Sequence, residues 1–258
     1  MNILLNGYSG YMGREVTALC DKGYRSANLL IGVDAFAKGG EAHRVVKSFD
    51  DVDCPHKVDC IVDFSHHSLI GNIMDFAVEY GIPTVIATTG HTDEEIKTIT
   101  AAAEKIPVFH SGNMSLGIAL LIELAKKTAQ AMPEANIEIV ETHHNRKIDA
   151  PSGTALMIAN ALCEVKSDAN VNLGRQGHGK REENEIGIHS IRVGNIVGIH
   201  EVIVGTDSQT ITLKHEAHSR ALFAEGALCA AEFIIDKAPG LYDMKSIASQ
   251  DSRDTVTV

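Results

Sequence analysis

The densest run of chemically active side chains is Glu141-Thr142-His143-His144-Asn145-Arg146-Lys147-Ile148-Asp149-Ala150-Pro151-Ser152-Gly153-Thr154-Ala155. Two histidines and two cations lie together here, although the chain as a whole carries a net charge of −11. A basic cluster in an acidic protein indicates an anionic substrate. Histidine also changes its charge near neutral pH, so the segment is suited to proton transfer.

The second half of this segment predicts a helix start. Ser152 is a good N-cap residue, and Gly153 and Thr154 would open the helix with free N–H groups. A carboxylate fits such a helix start, with Lys147 as its counter-ion. Spacing alone leaves other interpretations open, since Lys147 and its neighbour Arg146 also fit a solvated surface turn, and Ser152 fits a helix cap with no further role.

Zinc binding is a third interpretation of the histidine pair. His143 and His144 are followed by Lys147, which gives HHxxK rather than the HExxH of zinc proteases, and no cysteine lies nearby in the sequence. We therefore expect no metal.

A glycine-rich turn near the start of the chain predicts a dinucleotide site. It reads Gly7-Tyr8-Ser9-Gly10-Tyr11-Met12-Gly13 and lies between an apolar run and a helical pattern. Asp34 ends the next apolar run, 21 residues after Gly13, where an acid hydrogen-bonds the adenosine ribose. The GxxGxxG spacing is a variant of GxGxxG, and a purely structural strand–turn–helix is the alternative.

The residues after Asp34 bear on the choice of cofactor. Ala35 and Phe36 follow it, and the nearest cations are Lys38 and Arg44. A carboxylate without an adjacent arginine disfavours the 2′-phosphate of NADPH. We therefore expect NADH to be preferred, with NADPH as a possible second cofactor through Lys38.

Two more polar loops follow apolar runs, Asp63-Phe64-Ser65 and Ala87-Thr88-Thr89-Gly90. Their hydroxyl groups could bind the nicotinamide ribose or carboxamide, since ligands in open parallel sheets bind beyond the carboxyl ends of strands. Ordinary turn chemistry explains either loop equally well.

The elements that must position these residues fall into two patterns. Up to about residue 110, continuous apolar strands alternate with amphipathic helices, which predicts a parallel sheet covered on both faces. The predicted strands are 2–7, 29–34, 60–65, 84–90 and 108–110, and the predicted helices are 12–20, 69–80 and 93–105.

After residue 115 the pattern changes. Three helices are predicted at 116–131, 152–165 and 220–235, and four strands at 136–142, 186–193, 196–204 and 210–215, with a polar, mobile loop at 166–184. Strands in series predict an antiparallel or mixed sheet. The fold class is thus α/β, a Rossmann-like parallel-sheet domain (1–113 plus 215–258) followed by an α+β domain with a mixed sheet (114–214).

Composition excludes several classes of protein. With 258 residues, 44% of them hydrophobic, the chain is long enough to bury a core, and its net negative charge disfavours nucleic acids and anionic membranes. The N-terminus lacks the basic start of a signal peptide, and no apolar run approaches a membrane span. Five scattered cysteines without a CxxC pair predict free thiols in a cytoplasmic protein.

The segment 141–155 resembles the E-x-H-H-x-x-K-x-D-A-P-S-G-T-A motif of the dihydrodipicolinate reductase family. The resemblance extends over essentially the whole chain, including the glycine loop, Asp63-Phe64-Ser65, Ala87-Thr88-Thr89-Gly90, Gly112-Asn113-Met114-Ser115 and Ile186-Gly187-Ile188-His189-Ser190-Ile191-Arg192. It implies nicotinamide-dependent reduction of a cyclic imine dicarboxylate to tetrahydrodipicolinate in diaminopimelate and lysine biosynthesis. It also implies a homotetramer, assembled through the sheet of the second domain.

The resemblance also implies roles for individual residues. His143 and Lys147 would be the catalytic pair, and the substrate carboxylates would bind His144, Lys147, Gly153 and Thr154. The cofactor contacts would be Gly7, Tyr8, Ser9, Gly10, Tyr11, Met12, Asp34, Ala87, Thr88, Thr89, Ser111, Gly112, Asn113 and Met114. The chain departs from the pattern at Ala87, where many members have glycine, and at Ala35, where members favouring NADPH often have arginine.

Two other functions were considered for a protein with a dinucleotide site and the segment 141–155. A semialdehyde dehydrogenase would need a nucleophilic cysteine, and none of the five lies in a loop of catalytic appearance. A non-enzymatic dinucleotide sensor would leave His143 and Lys147 without a role.

Overall fold

The computed structural model describes residues 1–249, which form two compact units. One unit comprises Met1–Ser115 together with the chain from Ala221 onward, and the other is Leu116–Arg220. These junctions differ from the predicted ones at 113/114 and 214/215. The second predicted junction falls inside a strand that continues to Ala217, because the ladder of that strand with its neighbour is unbroken from residue 210.

The first unit is built on a fully parallel sheet. Its elements are β1 (Asn2–Asn6), α1 (Tyr11–Asp21), β2 (Asn28–Val33), β3 (Val45–Val46), β4 (Cys60–Asp63), α2 (Ile70–Tyr80), β5 (Thr84–Ile86), α3 (Asp93–Ala103), β6 (Pro107–His110), α6 (Ala221–Ile234), β12 (Gly240–Tyr242) and α7 (Met244–Ala248). The strand order is β12-β6-β5-β4-β1-β2-β3. Since every neighbouring pair is parallel, the carboxyl ends of the strands meet at one edge.

The second unit is built on a mixed sheet. Its elements are α4 (Leu116–Ala131), β7 (Asn136–His143), α5 (Gly153–Cys163), β8 (Asn170–Asn172), β9 (Glu185–Arg192), β10 (Gly198–Gly205) and β11 (Thr210–Ala217). The strand order is β11-β10-β7-β9-β8, with β7, β8 and β9 parallel and β10 antiparallel to both β7 and β11. The predicted fold class, a parallel sheet followed by an α+β unit with a mixed sheet, is confirmed.

Burial explains why these segments adopt strands and helices. In β4 all four residues are buried, as expected for a central parallel strand covered on both faces. In β7 and β10 buried and half-buried residues alternate, because only one sheet face carries the helices α4 and α5. The short strands β3, β8 and β12 are absent from the sequence prediction, since two or three residues carry too little periodicity to be recognised.

Two glycines show how tightly the first turn is packed. Gly7 has a positive φ of 84°, and a Cβ there would lie 2.5 Å from the carbonyl oxygen of Phe64. A Cβ on Gly13 would lie 2.2 Å from the carbonyl oxygen of Gly7, so α1 sits directly against the end of β1. Both contacts are with backbone atoms, which have little room to move aside.

Gly13→Ala should therefore destabilise the protein by about 1–3 kcal/mol, the usual cost of forcing extra atoms into a packed site. Gly71→Ala is a matched control in the first turn of α2, where a Cβ meets nothing within 4 Å. It should be neutral or slightly stabilising, because alanine favours a helix over glycine. Urea unfolding followed by circular dichroism measures both, and equal midpoints for the two variants would contradict the steric argument.

Candidate active site

The predicted cofactor residues gather at the carboxyl edge of the parallel sheet. The glycine turn follows β1, and Asp34 follows β2. Ala87–Thr89 follow β5, and residues 111–114 follow β6. The sheet thus brings to one edge four segments, the first and last of which lie about a hundred residues apart in the sequence.

The glycine turn fits the diphosphate of a dinucleotide. Gly7 and Gly13 lack side chains and so allow the tight turn that brings the start of α1 against the end of β1. Gly10 is the N-cap of α1 and has no side chain to cap the helix, and the first turn of the helix contains no acidic residue. An anion at this helix start would meet N–H groups and the positive end of the helix dipole.

Asp34 is nine-tenths buried at the end of β2. Its carboxylate accepts hydrogen bonds from the backbone N–H of Ser9 at 2.8 Å and from that of Phe36 at 2.9 Å. An ionised carboxylate accepts about four hydrogen bonds, so capacity remains for two ribose hydroxyls. Asp34 therefore joins the glycine turn to β2 while keeping acceptor capacity for a diol.

Asp63 ties together the ends of β1, β4 and β5. It is almost fully buried and accepts from Asn6 Nδ2 at 2.8 Å, Ser65 Oγ at 2.6 Å and Thr88 Oγ1 at 2.6 Å. Burial raises the pKa of Asp63 against these neutral donors. The hydroxyls of Ser65 and Thr88 are thus used internally, and both residues still line a cavity of about 340 Å³ with Ala87 and Thr89.

A second cavity of about 460 Å³ lies beside the end of β2. Ala35 and Lys47 line it, together with the carboxylates of Asp50, Asp75 and Glu79. The cations that follow Asp34 most closely in sequence are placed elsewhere. Arg44 pairs with Asp53 at 2.5 Å, and Lys38 does not line the cavity.

In the second unit, His143 ends β7 and is held by a carboxylate on its own strand. Its Nδ1 lies 2.5 Å from Glu141 Oε2. Residues two apart on a strand share a face, so the sequence Glu-Thr-His places the two side chains together. On the other side of the ring, a Cβ on Gly198 would lie 3.0 Å from His143 Nε2, so the glycine makes room for the imidazole.

Glu141 is completely buried and ionised. Arg192 of β9 donates to both of its oxygens, from Nη2 to Oε1 at 2.7 Å and from Nη1 to Oε2 at 2.8 Å. The backbone N–H of Ser152 donates to Oε1 at 3.1 Å. Burial by itself would raise the pKa of Glu141, but the hydrogen bonds, that of Arg192 foremost, outweigh it and lower the pKa to about 2.

The predicted N-cap Ser152 begins α5 and also joins the histidines. Its Oγ accepts from the N–H of Ala155 at 3.1 Å and lies 3.1 Å from His200 Nε2. The ring of His200 meets that of His143 edge-on, with centroids 5.2 Å apart. Burial, reinforced by the positive charge of His143, lowers the pKa of His200 to about 4, so His200 is neutral at pH 7.

The loop from β7 to α5 carries the cationic residues. Lys147 Nζ pairs with Asp149 at 2.8 Å, and the Lys147 N–H donates to the His144 carbonyl at 3.1 Å. The pKa of His144 is lowered, chiefly by burial and then by the charge of Arg146, so a neutral imidazole is expected at pH 7. This loop leads through a cis Ala150-Pro151 bond to Gly153 and Thr154 at the start of α5.

Both parts of the chain match family models. Residues 1–114 match the model "Dihydrodipicolinate reductase, N-terminus", and residues 117–247 match "Dihydrodipicolinate reductase, C-terminus". The chain belongs to the dihydrodipicolinate reductase family.

Individual relatives agree with the family models. The 4-hydroxy-tetrahydrodipicolinate reductase of Caldanaerobacter subterraneus subsp. tengcongensis is 42% identical, covering 97% of this chain and 99% of its own. That of Alkaliphilus oremlandii is 41% identical, covering 96% and 98%. Among solved structures, the dipicolinate-bound dihydrodipicolinate reductase from Paenisporosarcina sp. TG-14 has the same fold, with a TM-score of 0.79, 24% identity, and coverage of 94% of this chain and 97% of that one.

The sequence prediction assigned no role to three residues that hold the family motif in place. Arg192 pairs with Glu141 from 51 positions away, Gly198 leaves space for the His143 ring, and His200 reaches Ser152 from β10. The sequence contains no local signal for these pairings, because they depend on which strands become neighbours. Glu141 is part of the motif, and it lies two residues before His143. This spacing was the only sequence signal that the two side chains share a face of the strand.

Within residues 1–249, no helix is long and apolar enough to cross a membrane, and no group of three metal-ligating side chains is arranged to hold a metal ion.

The lowered pKa of His200 predicts how the free energy of unfolding depends on pH. Its folded-state pKa of about 4 lies below the ordinary value of 6.5. Between these two pH values, His200 therefore binds a proton in the unfolded chain but not in the folded protein. The stability associated with neutral His200 is present above pH 6.5 and is lost as the pH falls towards 4. The loss should approach roughly 3 kcal/mol, since one pKa unit corresponds to about 1.4 kcal/mol.

Replacing His200 with glutamine, which cannot titrate, should remove this part of the pH dependence. The measurement is the urea midpoint between pH 7 and pH 4 for the wild type and His200→Gln. His178→Gln is the matched control, since His178 is exposed in the loop before β9. Parallel curves for the wild type and His200→Gln would contradict the assignment.

Proposed function

We propose that this protein is a 4-hydroxy-tetrahydrodipicolinate reductase in diaminopimelate and lysine biosynthesis. Its substrate, a cyclic imine dicarboxylate, loses its hydroxyl group as water and is reduced to tetrahydrodipicolinate by a hydride from a nicotinamide cofactor and a proton. The observation that carries the proposal is the folded form of segment 141–155. Glu141 fixes His143, Lys147 lies in the following loop, and Gly153 and Thr154 begin α5. Family membership over both units supports the same reaction.

The chain's own residues divide the chemistry as follows. Lys147 and the start of α5 bind the substrate carboxylates, since a cation and helix N–H groups both attract anions. His144 contributes a neutral imidazole beside them. The dihydronicotinamide, when bound, supplies the hydride. His143, with Lys147, delivers the proton that the reduced, electron-rich ring requires.

Asp149 has a part in this scheme. In the structure, its carboxylate is the partner of Lys147 Nζ at 2.8 Å. A substrate carboxylate would offer the same kind of partner, so we propose that substrate binding replaces or shares this ion pair. Asp149 is exposed, so the exchange does not leave a buried charge unpaired.

Removing Lys147 tests the site. Lys147→Ala should lower kcat by roughly 10²–10⁴-fold with folding intact, the range expected when a positioned acid or charge stabiliser is removed. The assay condenses aspartate semialdehyde and pyruvate with the preceding synthase and follows nicotinamide absorbance. Lys126→Ala is the matched control, a lysine of the same unit paired with Glu164, the C-cap residue of α5. Normal turnover in both Lys147→Ala and His143→Ala would refute the assignment.

NADH is the cofactor we propose as preferred. Asp34 would bind the ribose diol, Ala35 offers no positive charge, and the adjoining cavity has three carboxylate residues against the single cation Lys47 among its lining residues. A 2′-phosphate would meet more negative than positive charge there. Residual use of NADPH would depend on Lys47, since the expected contact Lys38 does not line the cavity.

Neutralising Asp34 should shift this preference. Asp34→Asn keeps an acceptor oxygen but removes the charge, so the ratio of kcat/KM for NADPH over NADH should rise by about 10-fold or more. Asp93→Asn removes the same charge from the first turn of α3, outside both cavities, and should leave the ratio unchanged. A wild-type protein that used NADPH tenfold better than NADH would overturn the argument.

Assembly into a homotetramer is also part of the proposal. The face of the mixed sheet opposite α4 and α5 carries Val140, Ile191, Ile199 and Ile203 at outward positions, interspersed with polar residues. Half-exposed apolar side chains on one sheet face are suited to pairing with a second copy.

A cytoplasmic location is proposed from the cysteines. All five are free thiols in the structure, as expected in a reducing compartment. Burial raises the pKa of Cys20 to about 11 and that of Cys60 further still, so neither is a ready nucleophile. This disfavours the alternative semialdehyde dehydrogenase, whose acyl chemistry needs a reactive thiolate.

A further inference from the structure

The carboxylate of Glu141 is not accessible to a substrate, because it is buried and its oxygens already accept hydrogen bonds from the protein. Its surface is completely buried, and hydrogen-bond donors surround both of its oxygens, the side chain of Ser190 on β9 among them. Oε1 accepts from Arg192 Nη2 and the Ser152 N–H, and Oε2 accepts from Arg192 Nη1 and contacts His143 Nδ1. Any part that Glu141 plays in the reaction must therefore pass through a neighbour.

His143 is the neighbour with a free chemical function. With Nδ1 against a carboxylate, that nitrogen must carry the hydrogen, because the carboxylate can only accept. The other nitrogen, Nε2, lies beside Gly198, and within residues 1–249 no hydrogen bond reaches it. Nε2 is then the nitrogen that gains and releases a proton.

Arg192 explains why the carboxylate stays ionised in this position. A buried carboxylate beside neutral donors alone would tend to take up a proton, and a protonated Glu141 could donate to Nδ1 instead of accepting from it. The two-pronged contact with the guanidinium prevents this. Arg192 also donates to the carbonyl oxygen of Asp149 at 2.6 Å, which ties the pair to the loop carrying Lys147.

We propose that Glu141, held by Arg192 and the amide of Ser152, is the positioning residue that fixes the Nδ1–H tautomer of His143 and presents Nε2 for proton transfer. The proposal rests on the proposed function for the proton transfer itself. The tautomer, however, is a property of the resting protein and is measured without turnover.

The first test uses the unaltered protein. Long-range 1H–15N spectra of 15N-histidine-labelled protein distinguish a protonated nitrogen from one with a lone pair, and the His143 signals are assigned by their loss in His143→Ala. Where His143 is neutral, Nδ1 should be protonated and Nε2 should carry the lone pair. An Nε2–H tautomer in this spectrum would overturn the proposal whatever the kinetics show.

The second test replaces the carboxylate. In Glu141→Gln, Arg192 Nη2 and the Ser152 N–H still point at the Oε1 position, whereas Arg192 Nη1 alone among these donors points at the Oε2 position, so the amide oxygen is favoured at Oε1. The amide NH2 group then faces His143 Nδ1, which must accept, and the tautomer should change to Nε2–H. We expect kcat to fall by about 10²-fold, the lower end of what a general acid contributes.

Binding of dipicolinate separates positioning from structural damage. A positioning role predicts that Glu141→Gln lowers kcat while the Kd for dipicolinate, measured by calorimetry, changes less than about threefold, since Glu141 itself contacts no ligand. Wild-type kcat, or an unchanged tautomer, would overturn the proposal. Equal losses in kcat and in dipicolinate binding would do so as well, because they indicate general disruption of the site.

Glu185→Gln is the matched control. Glu185 is also buried on a strand of the mixed sheet, and it pairs with Arg175 at 2.5 Å. Among residues 1–249, no histidine is hydrogen-bonded to the Glu185 carboxylate. This variant loses a comparable ion pair and should keep the His143 tautomer and kcat of the wild type.

A double variant keeps the proposal testable if the single variant does not fold. If Glu141→Gln alone does not fold because Arg192 is left buried and unpaired, Glu141→Gln with Arg192→Met removes both charges. It should fold, and should lose the single Nδ1–H tautomer together with turnover. If the double variant kept both the single Nδ1–H tautomer and wild-type turnover, the proposal would be overturned. An inactive wild type with the expected tautomer would instead contradict the proposed reaction and leave the positioning role standing.

Discussion

The arrangement of the second unit depends on one buried carboxylate. Glu141 contacts His143 on its own strand, Arg192 on the next strand and the amide that begins α5. A buried charge is costly unless it is fully paired, so the three elements must keep these positions together. The requirement to pair Glu141 therefore fixes the start of α5, where we propose that substrate carboxylates bind.

The first unit also has a buried carboxylate that joins several strands, but the pKa of this carboxylate is shifted in the opposite direction. Asp63 lies at the carboxyl edge of the parallel sheet and joins the ends of three strands through Asn6, Ser65 and Thr88. Its donors are all neutral, and burial raises its pKa, whereas Arg192 lowers that of Glu141 to about 2. Both carboxylates accept several hydrogen bonds, but only Glu141 has a guanidinium among its donors, and Arg192 is the foremost group that lowers its pKa.

The histidines of the second unit likewise differ through their neighbours. His143 faces a carboxylate, while His200, with its ring 5.2 Å from that of His143, faces a hydroxyl and is kept neutral by burial. A neutral His200 adds no second positive charge beside His143. His143 at the end of β7 therefore meets no repulsion from a charged His200.

Much of this protein is determined by local sequence. The alternation of apolar strands with amphipathic helices predicted the parallel sheet, and the helix 116–131 was predicted with its observed bounds, because its periodicity is long and ends before Pro133. The motif 141–155 also revealed the family, since its residue types are closely spaced. Shorter elements such as β3 and β12 were not predictable, because two or three residues carry too little pattern.

Tertiary structure alone decided which distant residues complete the site. Arg192, Gly198 and His200 reach the motif only because β9 and β10 flank β7 in the sheet. The same holds for Lys47, which the fold places beside Ala35 in preference to the cations nearer in sequence. Periodicity and caps act within one segment, so the sequence determined the elements and the motif. Strand neighbours and burial act between segments, so only the folded chain determined the partners and ionisation states of the motif's residues.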